Sequence, residues 1–321
     1  MDLAQVIADE IRADGLIPFR RFMELALYHP ELGYYAGQRD PFGTSGDFYT
    51  NAHLQHVFGR LLAQQIERWR QELGCPEDFS VLEVGPGRGE IGRQVRESIP
   101  GIDWIGVEHG DPWPKRPLTG VAVCNEFFDA LPVDSVERTS DGWLLRGVGM
   151  QGGRFCWQTV GSARADDAWP GIQPGSRIES CDGQVAALRR ISDTLRRGWI
   201  LVIDYGYTRT EIERAGRFPD GSLMGYSRHR ADPDVLLEPG CRDITAHVNF
   251  SALEDSAREA GLEVTPLTSQ QAYLLALGEP DSFARALAAE SEREAVRLRM
   301  QLKTLIFGLG ETFRVLVLRK R

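Results

Sequence analysis

No stretch of the sequence approaches the roughly 18–20 apolar residues that a membrane-spanning helix needs, so none is expected. Basic charge is not in excess either: 37 Lys+Arg stand against 46 Asp+Glu, a formal net charge of −9. That balance is not the footprint of a nucleic-acid binder. Cysteine is sparse. Cys75, Cys124, Cys156, Cys181 and Cys241 are widely scattered with no CxxC pair, which argues against a zinc ribbon or a disulfide framework and predicts reduced thiols. The opening MDLAQVIADEIRADG is acidic and amphipathic, unlike a signal or transit peptide, and a cytosolic location is expected. Internal repeats and low-complexity segments are also missing. What is present, 321 residues with 42% hydrophobic and 26% charged, is the composition of a folded globule with a large core.

The first 75 residues read as helical. Phe19, Phe22, Met23, Ala26 and Leu27 repeat at helix spacing until Pro30 and Gly33, and a GYYAG turn follows. A longer amphipathic helix is expected from a Thr50 or Asn51 cap to Gly74, with Leu54, Val57, Phe58, Leu61, Leu62, Ile66, Trp69 and Leu73 on one stripe. From Phe79 the period changes: FSVLEVG, a helix over EIGRQVRESI, and WIGVE form a βαβ unit. The continuous apolar runs VAVCN and WILVID suit a parallel sheet covered on both faces. Between them, about 133–160 alternates around Gly turns as a β-meander. Residues 206–246 show no clear periodicity and read as a long excursion. A helix near Ser251–Ala260, a strand near Glu263–Leu267, a long polar helix from about Asp281 and a last strand FRVLVLRK complete the chain. The expected division is a helical cap over 1–75 and a core over 76–321, with the meander and an insertion of about 206–250 inside it.

The sharpest chemical signal is Val81-Leu-Glu83-Val-Gly85-Pro-Gly87-Arg-Gly89, a strand running into a glycine-rich turn that opens a helix. Glycines there let the backbone turn tightly and approach a ligand. Glu83 two positions before the first glycine, and Glu108 at the end of the second strand where a carboxylate can accept both ribose hydroxyls, match the S-adenosylmethionine (SAM) loop of class I methyltransferases. Gly87-x-Gly89-x-x-Gly92 also satisfies the dinucleotide fingerprint, so NAD is a rival. That register overruns the strand through Gly85-Pro86 and leaves Glu83 without a role. A second constellation, Asn125-Glu126-Phe127-Phe128-Asp129, follows a buried strand. Its carboxylates beside aromatic faces suit a sulfonium or guanidinium cation, or else a core pair and a solvated helix start. Gly46-Asp47 precedes the long helix as a third candidate, or as a helix cap. His53 and His56 have helical metal-like spacing but no third ligand, so no metal is expected.

These segments, in this order, resemble the MidA-like family of SAM-dependent methyltransferases, which includes a mitochondrial complex I assembly factor that methylates a protein arginine. The matching stretches are FRRFMELALYHPELGYYA, GDFYTNAHLQHVFGRLLA, VLEVGPGRGE, CNEFFDALPV, LVIDYGY, GSLMGYSRHR, GCRDITAHVNFSAL and GETFRVLVL, from about residue 18 to 318. The resemblance implies an α/β fold with a Rossmann-like class I methyltransferase core, an N-terminal helical cap and an inserted substrate region. It also implies SAM as cofactor and a protein arginine as acceptor. In one departure, Glu108 is joined to Val121 by HGDPWPKRPLTG, with three prolines, too short for a helix plus a strand. A thin or rebuilt adenine wall is therefore expected.

Arginine is a hard nucleophile to use because its guanidinium stays protonated near neutral pH. A carboxylate bound to two of its N–H groups can draw positive charge toward them and leave the third nitrogen more nucleophilic. Glu126 or Asp129 is the expected clamp. Gly46-Asp47 is placed over the cofactor, and Asn125 at the acceptor or the amino-acid end of SAM. Phe127, Phe128, Asp204, Tyr205, His229, Asp243 and His247 are candidate substrate contacts. Two other functions remain open: an assembly chaperone that binds SAM without turnover, and an NAD-dependent oxidoreductase. A protein partner is expected; the oligomeric state is not readable.

Overall fold

The structure, a computed structural model, describes residues 2–36, 56–163, 171–214, 219–227, 230–308, 310 and 312–321. Gly46, Asp47, His53 and His229, and the cap residues Thr50 and Asn51, lie outside the described residues. The chain forms two compact units, one of Thr50–Phe128, Val185–Gly206 and Ala252–Arg321, the other of Met1–Tyr49, Asp129–Gln184 and Tyr207–Ser251. The division is drawn differently from the expected split at residue 75. The helix α1, His56–Glu72, belongs with the sheet, while the meander and the 206–250 excursion join the N-terminal helices.

In the first unit, Val57, Phe58, Leu61, Leu62 and Ile66 of α1 are buried, and Trp69 stacks on Trp199 with centroids 5.4 Å apart. Gly74, at φ 82, sits just beyond its end. The unit continues with β1 (Phe79–Val84), α2 (Glu90–Ser98), β2 (Asp103–Val107), β3 (Leu118–Asn125), α3 (Asp182–Thr194), β4 (Leu195–Tyr207), β5 (Glu263–Val264) and β6 (Phe313–Lys320). The strand order is β5-β6-β4-β3-β1-β2. β1 is parallel to β2 and β3, and β3 to β4; β6 runs antiparallel to β4. Every residue of β1 is buried, as its unbroken apolar run requires of a strand covered on both faces. The chain leaves β1 toward β2 and then returns to β1's other side with β3. That reversal makes the carboxyl ends of β1 and β3 a topological switch point, where open α/β sheets bind ligands.

No long helix starts at Asp281. Gly278 and Pro280 give a short turn, Ser282 and Phe283 take φ 53 and 61, and the helix begins only at Glu292.

The second unit packs the helices Leu3–Asp14 and Phe19–Tyr28 over their own core, with Ile7, Phe19, Phe22, Met23 and Leu27 buried beside Val148, Ile244 and Ala246. The expected meander is present as strands Ser135–Arg138, Trp143–Gln151 and Arg154–Ala163, in a five-stranded sheet that also takes Ile17–Pro18 and Arg177–Glu179. Within the excursion, the described Met224–Ser227, Arg230–Asp232 and Asp243–Thr245 form a three-stranded sheet. Strands of three or four residues are too short to print a period in the sequence.

Candidate active site

The glycine-rich turn leaves β1 at the switch point, where Gly85 N donates to Val107 O at 3.0 Å. Gly85, Gly87 and Gly89 have φ of 71, 52 and 66, the left-handed region that side chains disfavour, which explains the alternate glycines. A Cβ on Gly85 would lie 3.1 Å from the Phe127 ring, whereas one on Gly89 would meet nothing within 4 Å. The turn is thus backed by Phe127 on one side and open on another. Gly92 has a packing role, since a Cβ there would sit 2.6 Å from the Trp104 indole nitrogen.

The two acids divide the work. Glu83 is 3% exposed, and its Oε2 accepts from Trp104 Nε1 at 2.8 Å. Burial pushes its carboxyl up to about 7, against the hydrogen bond from Trp104 and with the Glu108 charge adding to the rise. Glu83 therefore anchors the base of the turn. Glu108 is exposed just beyond β2, and its Oε1 accepts from Gly87 N at 2.6 Å. A solvent-facing carboxylate beside a glycine backbone suits the vicinal hydroxyls of a ribose.

Across the switch point, Asn125 ends β3 and Glu126 adopts φ 52, a backbone state uncommon outside glycine and concentrated at functional sites. Its amide donates to Ile203 O at 2.9 Å. The turn is held from below by Asp204, whose Oδ2 accepts from Phe127 N at 3.1 Å and Phe128 N at 2.8 Å, while Oδ1 accepts from Tyr205 N at 2.9 Å. Asp204 is 0% exposed. It positions this turn, whereas a substrate contact was expected of it. Of the other expected substrate contacts here, the half-buried Tyr205 ring lies 3.8 Å from that of Phe313, and Phe128 is fully buried. Asn125 Nδ2 donates to Glu126 Oε1 at 3.0 Å. Asn125 Oδ1 is buried with no hydrogen-bond partner among the described residues, an acceptor that fits a donor from a ligand.

Asp129, Asp243 and His247 lie in the other unit. Asp243 Oδ1 accepts from the Tyr35 hydroxyl at 2.9 Å. Burial, and then the Asp243 charge, pushes the Tyr35 hydroxyl well above its ordinary range, with Asp129 adding to the effect. Tyr226 is raised by burial and by the same two carboxylates. Asp129, Asp243, Tyr35 and Tyr226 are thus one group, although they come from three separate stretches of the chain, with Tyr226 and Asp243 paired across adjacent strands. The two tyrosines were missed in the sequence; the GYYAG turn was the available signal. His247 N donates to Ser222 Oγ at 3.0 Å, and its ring meets that of Tyr207 edge-on at 5.1 Å.

A glycine-rich turn at a switch point, an acid after the second strand and an open acceptor after β3 define a nucleoside-binding, Rossmann-like class I methyltransferase fold, and these residues fit SAM. A family model described as "Putative S-adenosyl-L-methionine-dependent methyltransferase" matches residues 96–268, more than half of the chain. The chain belongs to this MidA-like family of SAM-dependent methyltransferases. The crystal structure of a Burkholderia thailandensis protein bound to S-adenosyl-homocysteine is 31% identical, with a TM-score of 0.90 over 99% of this chain and 92% of that one. Among curated relatives, the protein named "Protein arginine methyltransferase NDUFAF7, mitochondrial" from Xenopus tropicalis is 26% identical, covering 93% of this chain and 79% of its own. Its Homo sapiens counterpart is 24% identical, covering 91% and 76%. The chain is a SAM-dependent methyltransferase, and the NAD reading falls. No helix among the described residues is long and apolar enough to cross a membrane.

Proposed function

We propose that the chain methylates an arginine side chain of a protein partner. The observation that carries this reading is the Asn125–Phe128 turn. It holds the carboxylate of Glu126 on a left-handed backbone, while the next residue, Phe127, backs the glycine-rich turn. The name of the curated relatives supports the same acceptor.

When bound, SAM supplies an electrophilic methyl on its sulfonium, so what the protein must provide is alignment and control of a proton. Glu108 and the backbone of Gly85, Gly87 and Gly89 hold the nucleoside. Phe127 keeps water from the inner side of the turn. Asn125 Oδ1 accepts an N–H from the donor's amino-acid end or from the acceptor. Glu126 binds guanidinium N–H groups, draws the cation's charge toward them and takes up the proton that the methylated nitrogen must lose. Asp129, buried among tyrosines, is the alternative clamp, and Asp47 remains the expected cover of the cofactor.

The test is transfer of labelled methyl into arginine of lysate proteins or an arginine-rich peptide. Glu126→Gln or Asp129→Asn is expected to lower turnover about a hundredfold, as loss of a charged transition-state contact does, with S-adenosyl-homocysteine binding intact. If both variants turn over like wild type, the clamp is wrong. Free cysteines at all five positions suit a reducing compartment, and the cytosol is the location we carry forward; fractionation tests it.

A further inference from the structure

We propose that a cleft built wholly within the second unit receives a guanidinium side chain of the protein partner, with Glu179 as its anionic acceptor. The inference rests on the arginine reading above and adds a recognition subsite to it, separate from the transfer clamp.

The cleft is lined by Ile178, Glu179, Tyr207, Ile212, Ser222 and His247, among others. Glu179 ends the strand Arg177–Glu179 at the edge of the five-stranded sheet. Its Oε2 is engaged, accepting from Ser222 N at 2.9 Å and Ser222 Oγ at 2.7 Å. Its Oε1 is buried with no hydrogen-bond partner among the described residues. Gly221, at φ 80, is what allows the close approach, because a Cβ there would lie 2.2 Å from Oε1. A buried carboxylate oxygen without a donor is costly, and the cost is relieved by a charged donor.

Among the described lining residues, the arginine does not fill that role. Arg177 is engaged elsewhere: its Nη2 pairs with Asp220 Oδ1 at 2.9 Å, and its guanidinium carbon lies 5.6 Å from the centre of the Trp157 ring. Burial raises the Glu179 carboxyl above its usual range, and the Ser222 bonds, Arg177 and Glu179's own amide only partly oppose this.

The remaining walls select the kind of cation. Ile178 and Ile212 are apolar, and Tyr207 offers an aromatic ring set edge-on to His247. A planar, weakly hydrated guanidinium can give one N–H to Oε1 and lay its face on a ring; an ammonium is more strongly hydrated and has no such face.

The experiment titrates the full chain, without methyl donor, with an Arg/Gly-repeat peptide and with the same peptide carrying citrulline in place of arginine. Glu126→Gln serves as the background, to remove the clamp's share. The arginine peptide is expected to bind at least about tenfold more tightly than the citrulline peptide. Glu179→Gln should abolish most of that difference, while the thermal shift given by S-adenosyl-homocysteine stays unchanged. Ile212→Phe, which narrows the cleft without touching Glu179, should weaken the arginine peptide similarly and decides the matter if Glu179→Gln does not fold. Equal binding of the two peptides, or a folded variant that binds within about twofold of its background, overturns the cleft. With otherwise wild-type enzyme, Glu179→Gln should raise KM for the peptide and leave kcat nearly alone. Arginine methylation with an unaltered KM sinks the cleft and leaves the arginine reading standing. Methylation of a different residue type sinks that reading, whereas peptide discrimination is measured separately.

Discussion

Glu83 pays for its place at the base of the glycine turn with a carboxyl held at about 7. An unfolded chain loses that proton near the ordinary glutamate value, about 4.3. Between the two values the folded state keeps a proton that the unfolded state has released. The contribution of Glu83 to stability is therefore full below the unfolded value and is lost as pH rises through 7, by at most about 4 kcal/mol. Glu83→Gln, which keeps an acceptor for Trp104, should flatten this decline in urea midpoints measured from pH 5 to 8; an unchanged slope would exonerate Glu83. Asp204 makes the opposite case. Its type and motif suggested a substrate contact, and only burial with three backbone donors reveals a scaffold. Asp204→Ala should destabilise the chain by roughly 2–4 kcal/mol through stranded amides and abolish turnover even in the folded fraction, measured by denaturation and labelled-methyl transfer.

Gly85 and Gly89 share a left-handed backbone but differ in surroundings. Gly85→Ala should lose about 1–2 kcal/mol from backbone conformation and, by crowding Phe127, also disturb the Glu126 turn. Gly89→Ala meets open space, so its effect on stability should stop at the backbone cost while affinity for S-adenosyl-homocysteine falls; calorimetric titration separates the two. Elements of this length were legible where tertiary context agreed with pattern. β1, β3 and β4 are unbroken apolar runs because both faces are covered, and α1 shows its stripe because one face is. The sheet of Met224–Ser227, Arg230–Asp232 and Asp243–Thr245 was not legible, since each strand is too short for alternation to register. Glu179 and Ser222 escaped notice for a related reason: 43 positions separate them, and no motif joins them.

On the scale of the whole chain, binding a ligand only to the folded state raises its stability by mass action, about 2.7 kcal/mol at a hundredfold excess over Kd. S-adenosyl-homocysteine should raise the melting temperature accordingly and NADH should not; a shift with NADH would contradict the assignment. The two units were not readable in linear order, because each is assembled from three separate stretches and composition marks no boundary where the chain passes between them. The short connection after β2 was readable. Residues 108–117 carry neither helix nor strand, Trp113 lies under Arg190 at 4.3 Å, and β2 is the last strand in its direction, pairing with β1 alone among the described strands. Such a flank is a template on which a second copy could add itself, and polymerise. That strand is only five residues long and begins on an exposed aspartate, Asp103. So short and charged a flank gives a second copy little to pair with, which limits growth in that direction.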